Sequence, residues 1–409
     1  MSQTGPLVSA ENDLRPESKG TAMKYLMACL VSFLLTAIIT PLIIRIATAC
    51  KCVDVPGDRR VHAKTTPRWG GLAFFAGVLP VLFFVKAGSA LSWALAASLL
   101  LVGIGIVDDL RELGWKTKLI GTVAAATLVI FGAHTAIHQI GVYGANVGWL
   151  SIPLTYVGII GVTNAINLLD GLNGLAGGVS LLAFLFMGIA ALFAGNVLVA
   201  LVCFAFVGAL GGFLLYNFPQ AKIFMGDSGS IFLGFSLSLM AVLLTQSPGS
   251  PVNPLFPVLV LLLPIFDTLR VLFVRLVSGK NPFHADNLHL HYLILQKLSP
   301  LNAVLLLWSA TAIAGGTALL MLGMSSAPYL SAVLYGSLVL AGLAGALTRR
   351  GTGQMPVHGK NGPRLLNPRN SLLPSVASVA RGLQGSGVRA RGSRRPTPDP
   401  ARKPLKRSS

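Results

Sequence analysis

Apolar stretches close to membrane-spanning length recur along this chain, separated by polar connections. They fall at 22–47, 71–85, 91–106, 119–131, 150–166, 175–193, 197–216, 231–244, 255–277, 304–322 and 330–347. A helix needs about 20 apolar residues to cross roughly 30 Å of hydrocarbon, so the shorter stretches must borrow flanking polar residues or tilt little. The pattern predicts an all-α, polytopic integral membrane protein of about eleven transmembrane helices. The first stretch is too long for the core of a cleaved leader, and the residues before it are not cleanly basic, so it reads as a retained span. Three regions follow: a polar segment at 1–22, a transmembrane domain at 23–347, and a Gly-, Pro-, Ser- and Arg-rich tail at 348–409. The tail has little to bury and is expected to be disordered.

Positive charge sorts the connections. The odd-numbered ones hold Lys51, Arg59, Arg60, Lys64, Arg68, Arg111, Lys116, Lys118, Lys222, Lys280 and Lys297, and the even-numbered ones hold Lys86 alone. Because Lys and Arg near spans favour the cytoplasm, the N-terminus is expected in the periplasm and the C-terminus in the cytoplasm. Asp54, Asp58, Asp108, Asp109, Glu112, Asp170, Asp227, Asp267 and Asp286 fall on the same inner side.

Composition agrees with lipid as solvent: 53% of residues are hydrophobic and 11% charged, against about 25% charged in soluble domains. The net charge of +19 does not imply nucleic-acid binding, because nearly half of the 32 Lys and Arg lie beyond Leu347. A basic cytoplasmic tail can rest on anionic headgroups or simply be solvated. Cys29, Cys50, Cys52 and Cys203 read as reduced thiols; the Cys50–Cys52 pair lacks the second pair that a zinc site needs.

Chemistry gathers in four clusters on the inner side, while the middles of the spans are nearly free of charge. That placement favours an enzyme at the interface over a transporter, whose ionisable groups tend to lie near the midplane. GIGIVDDLREL brings Asp108 and Asp109 to the end of the third span, where their charge opposes the helix dipole. In NAINLLDGLNGLAGG, Asn164, Asn167 and Asp170 recur at three-residue steps and lead into a glycine-rich loop that lets backbone amides approach phosphate. FPQAKIFMGDSGS sets Lys222 shortly before Asp227 at a helix N-terminus, a place suited to anions. PFHADNLHLHYLIL carries His284, Asp286, His289 and His291 after Arg270, Arg275 and Lys280; its histidines read as phosphate donors, since no second ligand pair completes a zinc site. Carboxylates for a hard cation, with basic donors for phosphate, are the parts of phosphoryl transfer.

From about Asp54 to Tyr292 the chain resembles the polyprenyl-phosphate N-acetylhexosamine-1-phosphate transferases, through VDVPGDRRVHAKTTPRWGGLAFF, GIVDDL, NAINLLDGLNGLAGGVS, YNFPQAKIFMGDSGSIFLG, PIFDTLR and HADNLHLHYLI in that order. The resemblance implies that undecaprenyl phosphate attacks the β-phosphate of a UDP-N-acetylhexosamine, foremost UDP-GlcNAc, and releases UMP, the first membrane step of O-antigen, common-antigen or teichoic-acid linkage synthesis. It implies Mg2+, with Mn2+ as an alternative, and a multi-pass protein of the bacterial inner membrane with a cytoplasmic active site. By position, Asp227 is the principal metal ligand, Asp108 and Asp109 the pair for metal and lipid phosphate, and Asn167 and Asp170 nucleotide or catalytic contacts. His289 and His291 would hold the diphosphate or sugar, and Arg59, His62, Arg68 and Arg275 are further phosphate contacts. Tyr292 stands where the family commonly has a third histidine, and Asn173 where it usually has a second acid, so another donor, a 6-deoxy sugar or UDP-MurNAc-pentapeptide, is the nearest alternative. The expected partners are the two substrates and membrane lipid, with no nucleic acid; self-association as a homodimer stays open.

Overall fold

The computed structural model describes residues 19–55, 65–84, 89–140, 145–281, 287–349, 357–359 and 362–364. Helices follow the apolar stretches: α1 (Lys19–Ala49), α2 (Gly70–Phe84), α3 (Ser89–Arg111), α4 (Trp115–Thr127, continued by a π-helical turn), α5 (Ser151–Leu169), α6 (Leu175–Phe193), α7 (Val197–Asn217) and α8 (Asp227–Gln246). Then come α9 (Leu255–Val260), α10 (Leu262–Val277), the short α11 (Leu290–Leu295), α12 (Pro300–Leu320) and α13 (Ser326–Arg349). Each of the eleven expected spans lies on a helix, and nine described helices are long and apolar enough to cross a membrane. The chain is a multi-pass membrane protein.

The other two stretches differ for physical reasons. Helix α2 has 15 residues, short of a full crossing. The stretch at 255–277 is broken at Leu261, where Pro264 has no N–H for the carbonyl of Val260 and crowds it. The second half, α10, buries Asp267, Val271 and Arg275 on one face and exposes Leu269, Phe273 and Leu276 on the other. Polar inside and apolar outside is the arrangement expected with lipid as the surroundings.

Small residues set the packing, since lipid gives apolar helices little hydrophobic reason to associate and close backbone approach must do so instead. Helix α1 lies on α7, where Gly208 faces the carbonyl of Cys29 and Gly212 that of Phe33. Helix α8 is almost wholly buried, enclosed by α2, α3, α5 and α6. Phe74, Phe75 and Phe206 close around its Phe232, at centroid distances of 6.1, 5.0 and 5.6 Å.

Short hairpins decorate the bundle. Strand β1 (Val53–Asp54) pairs antiparallel with β2 (Thr66–Pro67), and β3 (Gln139–Ile140) with β4 (Ala145–Asn146). In the tail, read from the sequence as lacking structure, β5 (Val357–Gly359) pairs antiparallel with β6 (Gly362–Arg364), Gly359 opposite Gly362. The rest of the tail lies outside the described residues.

A Cβ on Gly234 of α8 would stand 2.7 Å from the Cα of Thr163 on α5. Gly234→Ala is expected to force these helices apart and cost about 1–3 kcal/mol, seen as a lower thermal midpoint in detergent. An unchanged midpoint would mean that the α5–α8 contact relaxes freely.

Candidate active site

The site forms where several helix ends meet. The last turn of α3 supplies Asp108 and Asp109, adjacent residues that point to different sides of the helix. Asp109 reaches across to α8: its Oδ1 accepts from the amide of Asp227 at 2.9 Å, and its Oδ2 accepts from the amide and hydroxyl of Ser228 at 3.2 and 2.8 Å. Residue 226, just before α8, is glycine with φ +73°. It has no side chain to cap the helix, and a Cβ there would stand 2.6 Å from the Asp109 carboxylate.

Asp108 turns the other way, toward Lys118 in the first turn and a half of α4. The Lys118 ammonium lies 3.2 Å from Asp108 Oδ2 and 3.1 Å from Asp227 Oδ2, bridging α3 and α8. Asn167, near the end of α5, donates to the other oxygen of Asp227 at 2.6 Å and to Ser230 Oγ at 2.8 Å. Asp108 Oδ1 is buried without a hydrogen-bond partner.

Beside these groups opens a cavity of about 360 Å3. Its lining includes the polar side chains of Asp109, Asn167, Asp170, Asp227 and Ser230 and the largely apolar ones of Leu172, Phe218, Phe224 and Tyr292. Asp54 and Arg68, paired at 2.8 Å, enter from the β1–β2 hairpin. That hairpin is tied to the segment before α8, because the amide of Phe224 donates to Pro67 O and the amides of Gly70 and Gly71 donate to Phe224 O and Met225 O. Asp170, just past the end of α5, is open to the cavity yet set deep among protein atoms. Loss of bulk water, then repulsion from Asp227 and Asp109, pushes its carboxyl up to about 7.

Asp109, Asp170, Asp227, Asn167 and Arg68 therefore meet at one cavity, with Asp108 beside it. Other expected residues fall elsewhere. Asn164 is exposed on α5 and does not line the cavity: each three-residue step lags a helical turn by about 60°, so a run of them drifts off one face. Lys222 is exposed and lies 6.0 Å over the ring of Tyr216. Arg275 is buried on α10 away from the cavity lining.

His289 and His291 are likewise absent from the lining. Asp267 fixes His289 through Nδ1 at 2.9 Å, and also accepts from the amide of Leu290 at 2.9 Å and from Arg270 at 2.8 Å. His291 is 1% exposed, packs against Gly171 and Tyr292, and finds no hydrogen-bond partner for either ring nitrogen. The His289 ring stacks beside that of His291 at a centroid distance of 5.9 Å. The loop glycines also serve packing: Gly174, at φ +77°, lies against Phe218, and its amide donates to Asn217 at 2.7 Å. Arg59, His62, His284 and Asp286 lie outside the described residues.

Ser230 belongs to the small-residue segment that opens α8, whereas Lys118 and Asp54, counted among the inner-side charges, enter the site without a role assigned from the sequence. Nothing local marks Lys118, whose partners are 10 and 109 residues away.

The donor set suits a hard divalent cation. Two carboxylates, Asp108 and Asp227, converge on a point that already holds positive charge, and Asp108 has an oxygen to spare. Among the described residues no three His, Cys, Asp or Glu form a preformed cage. Mg2+ does not require one, being commonly held by one or two carboxylates together with substrate phosphates.

Residues 91–245 match the model of glycosyl transferase family 4. The chain is 35% identical over 276 residues to a probable undecaprenyl-phosphate N-acetylglucosaminyl 1-phosphate transferase of Bacillus subtilis (strain 168), covering 66% of this chain and 77% of the relative. It is 32% identical over 349 residues to the decaprenyl-phosphate N-acetylglucosaminephosphotransferase of Mycobacterium tuberculosis (strain ATCC 25618 / H37Rv), covering 75% and 85%. With the undecaprenyl-phosphate alpha-N-acetylglucosaminyl 1-phosphate transferase of Escherichia coli (strain K12) it shares 28% over 278 residues, 64% and 74% of the two chains.

Burial lowers His291 to about 4; the neighbouring charges of His289 and Arg270 push the same way, and Asp267 opposes them. The unfolded chain takes up that proton near pH 6.5 and the folded protein only near 4. This contribution to stability is therefore present above about 6.5 and lost as pH falls toward 4, by on the order of 3 kcal/mol. His291→Gln should flatten that part of the thermal-midpoint profile between pH 6.5 and 4; parallel profiles would show that His291 does not stay neutral in the fold.

Proposed function

The chain belongs to glycosyl transferase family 4, and from the site on this scaffold we propose that it transfers N-acetylglucosamine-1-phosphate from UDP-N-acetylglucosamine to undecaprenyl phosphate, releasing UMP. The observation that carries this reading is Asp227 at the head of α8, facing Asp108 across Lys118 beside a cavity lined by both polar and apolar side chains. Relatives named for undecaprenyl and decaprenyl phosphate share N-acetylglucosamine in their names, which supports that sugar more strongly than the lipid's length.

The acceptor needs little help to become a nucleophile. A phosphate monoester with its second pKa near 6 is mostly a dianion at neutral pH. Its oxygen attacks the sugar-bearing β-phosphorus, the bond from that phosphorus to the bridging oxygen breaks, and the electron pair leaves with UMP. The work of the protein is then to orient and to balance charge. Asp227 and Asp108 would hold Mg2+, and Asn167 keeps Asp227 in one rotamer. When bound, Mg2+ supplies charge neutralisation and in-line orientation of the phosphates. Lys118 offers a mobile positive charge at the same point, and Arg68 a guanidinium at the cavity wall. Leu172, Phe218 and Phe224 give a planar base an apolar surface.

The charge bias of the connections supports a cytoplasmic site in a bacterial inner membrane, on the side where nucleotide sugars are found. Asn173 and Tyr292 leave room for another UDP-N-acetylhexosamine. A donor panel decides between them.

Purified protein in detergent should release UMP from UDP-GlcNAc only with both polyprenyl phosphate and Mg2+ present, and more slowly from UDP-GalNAc or a 6-deoxy UDP-HexNAc. Asp227→Asn should keep its fold and lose activity by about 100-fold or more, since charge stabilisation by a metal is worth several kcal/mol. Release without lipid phosphate, or full activity in the variant, would sink this reading.

A further inference from the structure

We propose that Asp109 is a positioning residue: it fixes Asp227 by capping α8 from α3, and is not itself a ligand of the cation. The inference rests on the role given to Asp227 above. It separates two adjacent aspartates that the sequence presents as an equivalent pair.

A helix begins with amides that have no partner within the helix, and a preceding Ser, Thr, Asp or Asn ordinarily satisfies one of them. Gly226 cannot, and the first residues of α8 find their acceptor in Asp109 instead, through three hydrogen bonds. The surroundings are built for that contact. One turn earlier on α3, a Cβ on Gly105 would collide with the backbone of Ser228, so glycine there lets the two helices approach. The positive φ and bare Cα of Gly226 leave room for the carboxylate. From behind, the Cys52 thiol donates to the Asp109 carbonyl at 3.5 Å.

The charge follows the same logic. An aspartate in the last turn of α3 opposes that helix's dipole, but the same charge lies at the N-terminus of α8, where it is favourable. Neighbouring helical residues diverge by about 100°, and the two aspartates meet different parts of residue 227: Asp109 its backbone amide, Asp108 the ammonium that also holds its carboxylate. Asp108 is the one that meets Lys118 and keeps a buried oxygen unpartnered; both Asp109 oxygens already accept from α8.

Amide hydrogen exchange in the full-length, cation-free protein tests this. In Asp109→Asn one carboxylate oxygen becomes a donor that faces other donors, so exchange across 225–230 is expected to rise about tenfold or more while the rest of the bundle is unchanged. Turnover should fall at least tenfold, and the half-saturating Mg2+ concentration should rise with it as Asp227 loses its fixed place. Ser228→Ala removes only the hydroxyl bond and should give a few-fold version of the same changes, which keeps the test open if Asp109→Asn folds poorly. Unchanged exchange at 225–230, whether or not turnover is lost, overturns the proposal, and so does full turnover despite raised exchange. The exchange comparison needs no turnover, so failure of the transferase reading and failure of this one are told apart.

Discussion

The amides that open α8 are satisfied from another helix, and the geometry of the site follows from that one contact. In water a helix end without a cap can bind solvent; inside a lipid-embedded bundle each unsatisfied backbone group costs several kcal/mol. The Asp109 carboxylate removes that cost and fixes where α8 begins, and therefore where its first side chain, Asp227, stands. Gly105 against Ser228 and Gly71 against Gly229 bring α3 and α2 close enough for the arrangement to exist. Because the segment before α8 also pairs with the β1–β2 hairpin, Arg68 and Asp54 are registered against the same helix end.

Hydrophobic length and the break at Pro264 are local properties, and so the helices were legible along the chain. The eleven stretches met helices because a lipid-embedded backbone has few other ways to satisfy its amides. The caps of helix ends were harder to read. The GDSGS segment placed a helix N-terminus at Asp227, four residues ahead of the apolar run at Ile231, as α8 has it; its cap comes from α3, more than a hundred residues away, and no local pattern reveals that.

The same division explains the site. Asp108, Asp109, Asn167, Asp170 and Asp227 could be recognised because each is a polar residue at the end of an apolar run, where function gathers in a membrane protein. Lys118 could not, since its meaning comes from two carboxylates on other helices. Asn164 was grouped with Asn167 by spacing, but helical phase carries it to the outside. His289 and His291 stand within three residues of cavity-lining Tyr292, yet the Asp267 contact turns the first away, and the second is packed against Gly171. Sequence proximity to a site does not decide which way a side chain faces.

Charge balance gives the arrangement its chemical direction. Asp108 and Asp227 both lie about 3 Å from one ammonium, so their oxygens are at most about 6 Å apart and, when both are ionised, repel by at least about 3 kcal/mol at an effective dielectric of 20. Lys118 more than offsets that repulsion as long as nothing else is bound. A nucleotide diphosphate and a lipid phosphate bring several further negative charges to the same place, and one ammonium cannot balance them together with Asp109 and Asp170. The cavity thus carries more carboxylate than ammonium even when empty, and substrate phosphates widen that gap. That is the condition under which a divalent cation and its anionic substrate bind best together, each lowering the cost of the other. The lysine is suited to such a site because its charge sits on a flexible four-carbon stem, able to follow either the carboxylates or an arriving phosphate.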